Sequence, residues 1–309
     1  FATLVLVYDS LNDSARRDYV LQMLDAKQVY SKDANGNLLT YALKNGRHDL
    51  ADDVLSNTNN INVSMALSEV LQKYPDGDKK REHIADLIKT HALAHEDCAA
   101  IEKYLTSPSD SIDTKATVIN AAVANGMDVS LEFVVRNILP VAGNENTLSI
   151  LDAYCSKKLV DDDVFRILNF ACTCKDSKTA VGALDCLKRG NQYVLVPSKT
   201  VIAMLSERDL TASDKISILD KLFEFKVEAK SVEAVMTNYL CFNQDPVATR
   251  KEVILYLLDK SPQLPTSTVQ NYVLKCAVDG NEKPAIVKAI FDKGLNTSFF
   301  NELLSKYMN

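Results

Sequence analysis

The chain has no tryptophan, and its 309 residues include only nine glycines and eight prolines. Those values exclude collagen-like and low-complexity chains. No apolar run approaches the 18 residues that a membrane-spanning helix needs. The opening "FATLVLVYDS" is apolar for only seven residues and lacks a basic start, so it does not predict a signal peptide. We expect the sequence to be a segment of a longer chain, and we expect no membrane partner.

Motifs of the common catalytic sites are also missing. The sequence contains no G-x-x-x-x-G-K-[ST], G-x-G-x-x-G or G-x-S-x-G motif. The seven cysteines are an odd number and include no C-x-x-C pair. Most lie in apolar helical runs, which is typical of buried free thiols in a reducing compartment. The sequence therefore predicts a non-catalytic protein without a cofactor or small-molecule substrate.

One histidine pattern has a spacing that could bind zinc. "HALAH" places His91 and His95 one turn apart, with His83 and Cys98 nearby. The glutamate of H-E-x-x-H and a pair of loop cysteines are both missing. A solvated helix is therefore favoured over a metal site.

Two further patterns have ordinary explanations as well. "ACTC" at 171–174 could be a redox or metal pair, but a position in the core or at a helix end is favoured. "VDDDV" at 160–164 could bind a cation. Three acids at a predicted helix start are better explained by capping and by the helix dipole.

The net charge of −6 is unevenly distributed. Residues 177–309 contain 17 basic and 15 acidic residues, whereas residues 1–176 contain 18 basic and 26 acidic. The first segment therefore carries −8 and the second +2. A strongly basic nucleic-acid-binding protein is excluded as the default, and any nucleic-acid contact is expected in residues 177–309.

Apolar residues recur at helical spacing along most of the chain, with almost no strand-like alternation. Short breaks such as "YPDGD" at 74–78 and "NQDP" at 243–246 separate the helical segments. Asn, Asp, Ser and Thr are frequent at the predicted helix starts, as expected of N-caps. The predicted class is all-α.

The predicted helices recur with a fixed period. One set begins near Ala15, His48, Asp78, Thr114, Glu145, Ser177, Ala212, Ala248 and Lys283. The alternate set begins near Gly36, Ser64, Glu96, Val129, Asp161, Ser198, Ser231, Thr266 and Thr297. The mean step is about 33.5 residues, which is typical of stacked helical hairpins. Residues 1–309 are therefore predicted to form one continuous α-solenoid of about nine degenerate repeats.

Three families have two-helix repeats of this length: ankyrin, tetratricopeptide and pentatricopeptide. The T-P-L-H turn of ankyrin and the usual tryptophan of tetratricopeptide repeats are both missing. The stretch "YALKNGRHDLADDVL" at 41–55 resembles the pentatricopeptide (PPR) hairpin instead. Residues 43–47 match the "LCKAGR" junction, and Ala51 takes the small-residue place between the helices.

Three further segments resemble the same PPR pattern. Residues 119–139 repeat the hairpin with Gly126 at the turn, although Leu131 stands where alanine is usual. Residues 177–205 include Lys188-Arg189-Gly190, similar to the family's "MKEKG" ending. Residues 285–307 include Lys293-Gly294 and "FFNELL". The resemblance covers most of the chain, but each repeat is degenerate.

The resemblance implies binding of single-stranded RNA along the surface of the first helices. In the family, one polar residue early in each first helix contacts a base edge. The matching positions here are Gly36, Ala116, Lys199, Asn271 and Asn301. Asn271 and Asn301 could contact bases and Lys199 a phosphate, whereas Gly36 and Ala116 could not. Each asparagine is also explained by a cap or a solvated surface.

Within the family, the leucine-rich, mildly acidic composition is most similar to the leucine-rich PPR proteins of animal mitochondria. That similarity implies mitochondrial mRNA stability and translation, together with a small RRM-type RNA-binding partner. The location would otherwise be cytoplasmic or nuclear. The alternative is a protein-interaction scaffold that does not bind RNA, which the acidic first segment favours.

Overall fold

The computed structural model describes residues 7–11, 17–18, 38–57, 62–90, 95–227, 229–242, 245–260, 268, 272 and 283–292. Most of them are helical, which confirms the all-α class. The chain divides into two compact units, Phe1–Tyr154 and Cys155–Asn309.

The helices and strands, with their bounds, follow in chain order. The first unit contains α1 (Leu38–Lys44), α2 (His48–Asn57), α3 (Val63–Lys73), α4 (Asp78–Thr90), α5 (His95–Leu105), α6 (Ile112–Ala124), α7 (Leu131–Asn137), a 3-10 turn (Leu139–Val141) and α8 (Asn144–Cys155), whose last residue belongs to the second unit. The second unit contains α9 (Asp161–Thr173), α10 (Ser177–Arg189), β1 (Leu195–Val196), α11 (Ser198–Leu205), α12 (Ala212–Glu224), β2 (Lys226–Val227), α13 (Ala229–Phe242), α14 (Val247–Lys260) and α15 (Lys283–Asp292).

The positions of these helices confirm the predicted spacing. Each of the fifteen starts within two residues of its predicted position. Local signals explain this accuracy, because side chains of Asn62, Ser111, Ser130, Asp176 and Thr211 cap helix N-termini as the sequence indicates. The predicted starts near Ala15, Thr266 and Thr297 lie outside the described residues.

Within each unit, many helices contact the next helix along the chain, the second helix after them, or both. In the first unit α1, α3 and α5 contact one another in succession, and α4 contacts α6. In the second unit α9, α11 and α13 do the same, as do α10, α12 and α14. We name α1, α3 and α5 of the first unit, and α9, α11 and α13 of the second, the A layer of each unit. The B layer contains α4, α6 and α8 in the first unit, where side-chain bonds join α6 to α8, and α10, α12 and α14 in the second. The apolar stripe of each helix is therefore buried between neighbouring hairpins as well as within its own.

Three helix ends share one turn geometry. At Gly46 (φ +67°) the amide donates to the Leu43 carbonyl, while Arg47 donates to Ala42. Gly126 (φ +84°) ends α6 in the same way. These are Schellman turns, whose left-handed residue is usually glycine. After α10, however, the left-handed residue is Asn191 (φ +53°) rather than Gly190.

Gly190 has a different structural role. A Cβ at this position would lie 2.2 Å from the carbonyl oxygen of Cys155. The glycine therefore permits a close approach of two backbone segments, and it is not needed for a positive φ.

Among the described helices, eight have a buried polar side chain in the first turn or so: Asp97 in α5 and Thr200 in α11 are two of them, and the other six form a regular series. These six are Lys80, Thr114, Thr147, Thr179, Lys215 and Arg250, in α4, α6, α8, α10, α12 and α14. Successive members are 32 to 36 residues apart, so the period found in the apolar pattern recurs among buried polar residues. Buried polar groups are costly unless they are hydrogen-bonded, so their recurrence at this position is a structural feature that these six helices share.

Lys80 is the first of two buried lysines that join neighbouring hairpins. Its ammonium donates to the carbonyls of Leu71 and Tyr74 at the end of α3, both at 2.9 Å. It also pairs with Asp110 at 2.6 Å, and that carboxylate accepts the Tyr104 hydroxyl proton. The lysine thus satisfies terminal carbonyls of one A-layer helix and fixes the loop before α6.

Lys215 repeats this arrangement in the second unit. It donates to the Leu205 carbonyl at 2.8 Å and pairs with Asp245. Asp245 accepts the Tyr239 hydroxyl proton at 2.6 Å. Burial, followed by the bond to the aspartate, raises the pKa of Tyr239 well above its usual range. Lysine, tyrosine and aspartate each follow their first-unit counterparts by 135 positions, which is about four repeat periods.

Polar bonds between side chains also span about one period. In the A layers, Ser64 bonds to Asp97 and Thr200 to Asn169. In the B layers, the pairs include Asn146–Asp113, Ser177–Asp214 and Lys221–Asp185. The partners are 31 to 37 positions apart. Such bonds fix which face of a hairpin meets the next one.

Candidate nucleic-acid interface

Lys199 is the predicted phosphate-binding residue that the structure describes. It lies in the first turn of α11, in the A layer of the second unit, and its side chain is exposed. It forms no ion pair with any residue that the structure describes. The ammonium is therefore available to an external anion.

The sequence Ser-Lys-Thr occurs at two helix starts, once in each layer. Ser177-Lys178-Thr179 begins α10, and Ser198-Lys199-Thr200 begins α11. In both cases the threonine is buried and the lysine exposed. The two lysines differ in their layer and in the N-cap before the motif, which is Asp176 for α10 and Pro197 for α11. Asp176 interacts electrostatically with Lys178, so Lys178 is a control with the same Ser-Lys-Thr sequence and a nearby carboxylate.

Several other cations of this unit are paired with acids on neighbouring segments. Lys175 lies 2.9 Å from Asp209, and Lys188 lies 2.6 Å from Glu224. Beside Lys188, the pKa of Glu224 falls below its usual range because of this hydrogen bond. These lysines neutralise carboxylates on neighbouring segments of the same unit, which makes them weaker candidates for phosphate contacts.

The linkers that precede the A-layer helices lie side by side. Leu195 and Val196 of β1 pair in parallel with Lys226 and Val227 of β2. On the other side of β1, the Gln192 amide donates to the Lys157 carbonyl at 2.7 Å and accepts from the Leu159 amide at 3.3 Å. The side chain of Gln192 thereby forms the donor and acceptor bonds that the backbone of a paired strand would form. The linkers before α9, α11 and α13 are thus neighbours.

Large apolar side chains are exposed on these linkers. Val160, Tyr193 and Leu195 are 65%, 52% and 47% exposed. The ring of Tyr193 lies 5.7 Å from that of buried Phe225, at an angle of 52°. One side of the tyrosine is therefore held by the protein. We call Lys158, Val160, Tyr193, Leu195 and Lys199, all exposed, the linker surface.

The predicted base-facing positions have different outcomes. Ala116 is only 3% exposed, so its assignment to a base-facing position is wrong, because α6 turns this residue into the core. Gly36, Asn271 and Asn301 lie outside the described residues.

The acidic pattern is partly confirmed. Asp161, Asp162 and Asp163 form the first turn of α9, as predicted. The capping explanation is wrong, because the N-cap is Val160 and no side chain caps this helix. Asp163 instead pairs with Arg166 at 2.8 Å.

The cysteine predictions are confirmed for the residues that can be described. Cys172 is buried in the core, while Cys174 is half-buried at the C-terminal end of α9. The other described cysteines are buried free thiols, namely Cys98, Cys155, Cys186 and Cys241. Cys276 lies outside the described residues.

The histidine pattern is described only in part. His83 lies 2.9 Å from Asp52, and Cys98 is buried, whereas His91 lies outside the described residues. Among the residues that the structure describes, no group of three or more His, Cys, Asp and Glu side chains could hold a metal ion.

Sequence reasoning missed Tyr193 and Leu195. The sequence gives no alternation that could have identified them, because "NQYVLV" at 191–196 is two polar residues followed by a run of apolar and aromatic ones; only the burial in the structure alternates. The buried lysines were missed as well, because lysine is normally a surface residue.

No family model, curated protein or solved structure matches this chain. These comparisons neither support nor oppose the resemblance to the PPR family, which stays a hypothesis. None of the described helices is long and apolar enough to cross a membrane.

Proposed function

We propose that this protein is a non-catalytic, PPR-type α-solenoid of about nine hairpins that acts in mitochondrial RNA metabolism. In this role it holds single-stranded RNA, an RRM-type RNA-binding partner, or both. The contribution to RNA metabolism is the stability or translation of messenger RNA.

The observation that carries the proposal is the recurrence along the sequence of a polar residue buried near the start of a helix, six times from Lys80 to Arg250 at intervals of 32 to 36 residues. An irregular helical domain has no physical reason to repeat such a costly position at equal intervals. The bonds between side chains one period apart support the same stacking. The turn at Gly46, which follows the A-layer helix α1, agrees with the first junction that resembles the family. Gly126 follows the B-layer helix α6 and therefore lies at the other junction of the hairpin.

The RNA half of the proposal rests on the A layer of the second unit. Lys199 is exposed there without an acidic partner among the described residues, in the half of the chain that carries +2. A lysine in this setting can neutralise one phosphate and release its counterion. The proposal assigns this role to Lys199 and base contacts to Asn271 and Asn301.

A gel shift at low salt tests the proposal. The full chain is titrated into labelled single-stranded RNA, alone and with a candidate RRM partner. Lys199→Glu is expected to weaken binding and to reduce the slope of log K against log[salt] by about 0.7 for one lost phosphate contact. Asn301→Ala should also weaken binding more than changes at Gly36.

The control variant is Lys178→Glu, which makes the same charge change within the other Ser-Lys-Thr helix start, in the B layer. Its binding and salt slope should stay near those of the unsubstituted protein. Absence of RNA retention, both alone and with the partner, would refute the RNA half of the proposal.

A protein-interaction scaffold is the second candidate. The −8 charge of residues 1–176 favours it, because an acidic surface repels RNA and attracts basic proteins. Cellular crosslinking that recovers proteins and never RNA would support the scaffold over the RNA-binding role.

A further inference from the structure

We infer that the linker surface of the second unit binds single-stranded RNA by stacking a base on Tyr193, with Lys199 and Lys158 contacting phosphates. This inference rests on the proposed function and names a place where the RNA lies. The stacking residue belongs to a linker, outside the first helices to which the family resemblance assigns RNA contacts.

The backbone of residues 192–196 presents one face to solvent. Tyr193 and Leu195 are exposed, whereas Gln192, Val194 and Val196 are buried. Alternation of this kind places exposed side chains on one side of an extended segment. Pairing of β1 with β2 holds that segment in place, so Tyr193 and Leu195 point in a common direction.

Tyr193 is restrained before any ligand arrives. Phe225, 4% exposed, contacts one part of the ring, and about half of the tyrosine remains open to solvent. A restrained aromatic ring loses little conformational entropy on binding. Aromatic rings with one open face are the platforms on which single-stranded nucleic acids stack their bases.

The charged residues of the segment that contains Tyr193 favour an anionic ligand. Residues 188–199 contain Lys188, Arg189 and Lys199 and no acid. Lys188 is paired with Glu224 and Arg189 donates to the Cys186 sulfur, so Lys199 is the cation of this segment that we assign to a phosphate. Lys158 adds an exposed cation on the adjacent linker. An exposed aromatic ring on linkers that also carry exposed lysines fits a polymer of bases and phosphates better than it fits an apolar protein surface.

The acids near the linkers define a border of the surface. Asp161 and Asp162 are exposed at the start of α9, directly after Val160. A phosphate placed there would be repelled. The RNA is therefore expected to run along the linker between α10 and α11, with Val160 at its edge.

Two substitutions of Tyr193 separate base stacking from simple apolar contact. Tyr193→Phe retains the aromatic face, whereas Tyr193→Leu retains an apolar side chain and removes the ring. With a 20-nucleotide oligo(U) RNA and the full chain, the phenylalanine variant should bind like the unsubstituted protein. The leucine variant should bind about tenfold more weakly, the loss expected for one stacked base. Val141→Ala, at a 71% exposed valine of the first unit, is the apolar control and should have no effect.

A second measurement does not depend on affinity. Photocrosslinking of 5-iodouridine-substituted oligo(U), followed by peptide mass spectrometry, should place a crosslink on the peptide that contains Tyr193. Circular dichroism of each variant checks that the helical stack is retained. If the leucine variant unfolds, the position of the crosslink in the unsubstituted protein is the result that tests the proposed stacking site.

The outcomes distinguish the two proposals. If the unsubstituted protein binds no RNA, the RNA-binding function fails and the linker site fails with it. If RNA is bound, but a folded leucine variant binds equally well or the crosslinks lie away from residues 188–199, the linker site is refuted and the function stands. Loss of binding in the phenylalanine variant would also refute stacking, because the aromatic face is unchanged.

Discussion

Replacing Lys215 with methionine tests the buried lysine sites. Methionine keeps most of the length of the lysine side chain and removes the ammonium. Asp245, whose side chain is 4% exposed, then keeps its charge without the cation with which it pairs. The Leu205 carbonyl also loses its donor.

The expected loss follows from this geometry. Breaking a buried ion pair by removing one partner costs about 3–5 kcal/mol. With an m-value of about 2 kcal/mol/M, the urea midpoint of the transition should fall by about 2 M. The midpoint, followed by far-ultraviolet circular dichroism, is the quantity to compare, because repeat arrays need not unfold in two states. Lys80→Met should cause a loss of similar size, since Lys80 has the same kinds of partner.

Two comparisons make this prediction falsifiable. Lys260→Met removes a surface pair with Asp220, at 3.1 Å and with the lysine side chain 41% exposed, and should cost less than about 1 kcal/mol. The triple variant Lys215→Met, Tyr239→Phe, Asp245→Leu should recover part of the lost stability, because apolar replacement of a buried ion pair is often neutral. Buried Arg250, which donates to the backbone carbonyl of residue 245, is retained in this variant. If Lys215→Met shifts the midpoint no more than Lys260→Met, the reasoning is wrong.

Three other measurements test separate features. Gly190→Ala should destabilise the fold by about 1–3 kcal/mol, because its Cβ would meet the Cys155 carbonyl at 2.2 Å; Gly143→Ala, with no atom within 4 Å, should be close to neutral in the same urea titration. Burial raises the pKa of Asp76, but hydrogen bonds from Thr114 and Ser111 outweigh it and lower the value to about 2. Asp76 therefore contributes stability above about pH 4 that is lost as the pH falls toward 2; Asp76→Asn should flatten this part of a melting-temperature profile, and an unchanged profile would contradict the assignment. Burial raises the pKa of the Cys172 thiol to about 12, so iodoacetamide at pH 8 should label half-buried Cys174 well before Cys172, as peptide mass spectrometry would show; equal labelling rates would contradict the burial.

The helix positions could be predicted from sequence because local signals determine them. A capping side chain such as Ser111 or Thr211 and a turn glycine such as Gly46 act within a few residues of the helix end. Apolar spacing then identifies the buried face of each helix. These effects need no knowledge of the neighbouring hairpin.

The features that could not be predicted depend on distant residues. Lys80 is buried because Asp110, 30 positions later, lies beside it, and nothing adjacent to Lys80 in the sequence indicates that partner. Likewise, Ala116 was placed by counting from a junction, while the orientation of α6 determines that it faces the core. Of the candidate site, Lys199 and its helix start could be predicted, whereas the exposure of Tyr193 depends on the pairing of two linkers.

The buried site of Lys80 includes Tyr104 and Asp110, which follow it by 24 and 30 positions in the sequence. These separations limit how such a chain can gain or lose hairpins during evolution. Deleting the single hairpin that supplies Asp110 would place Lys80 against a neighbour without a matching carboxylate. The buried ammonium would then destabilise the shortened protein. Gain or loss of a block that contains lysine, tyrosine and aspartate together leaves every buried charge paired. The recurrence of the same three residues 135 positions later is the pattern that duplication of such a block would leave.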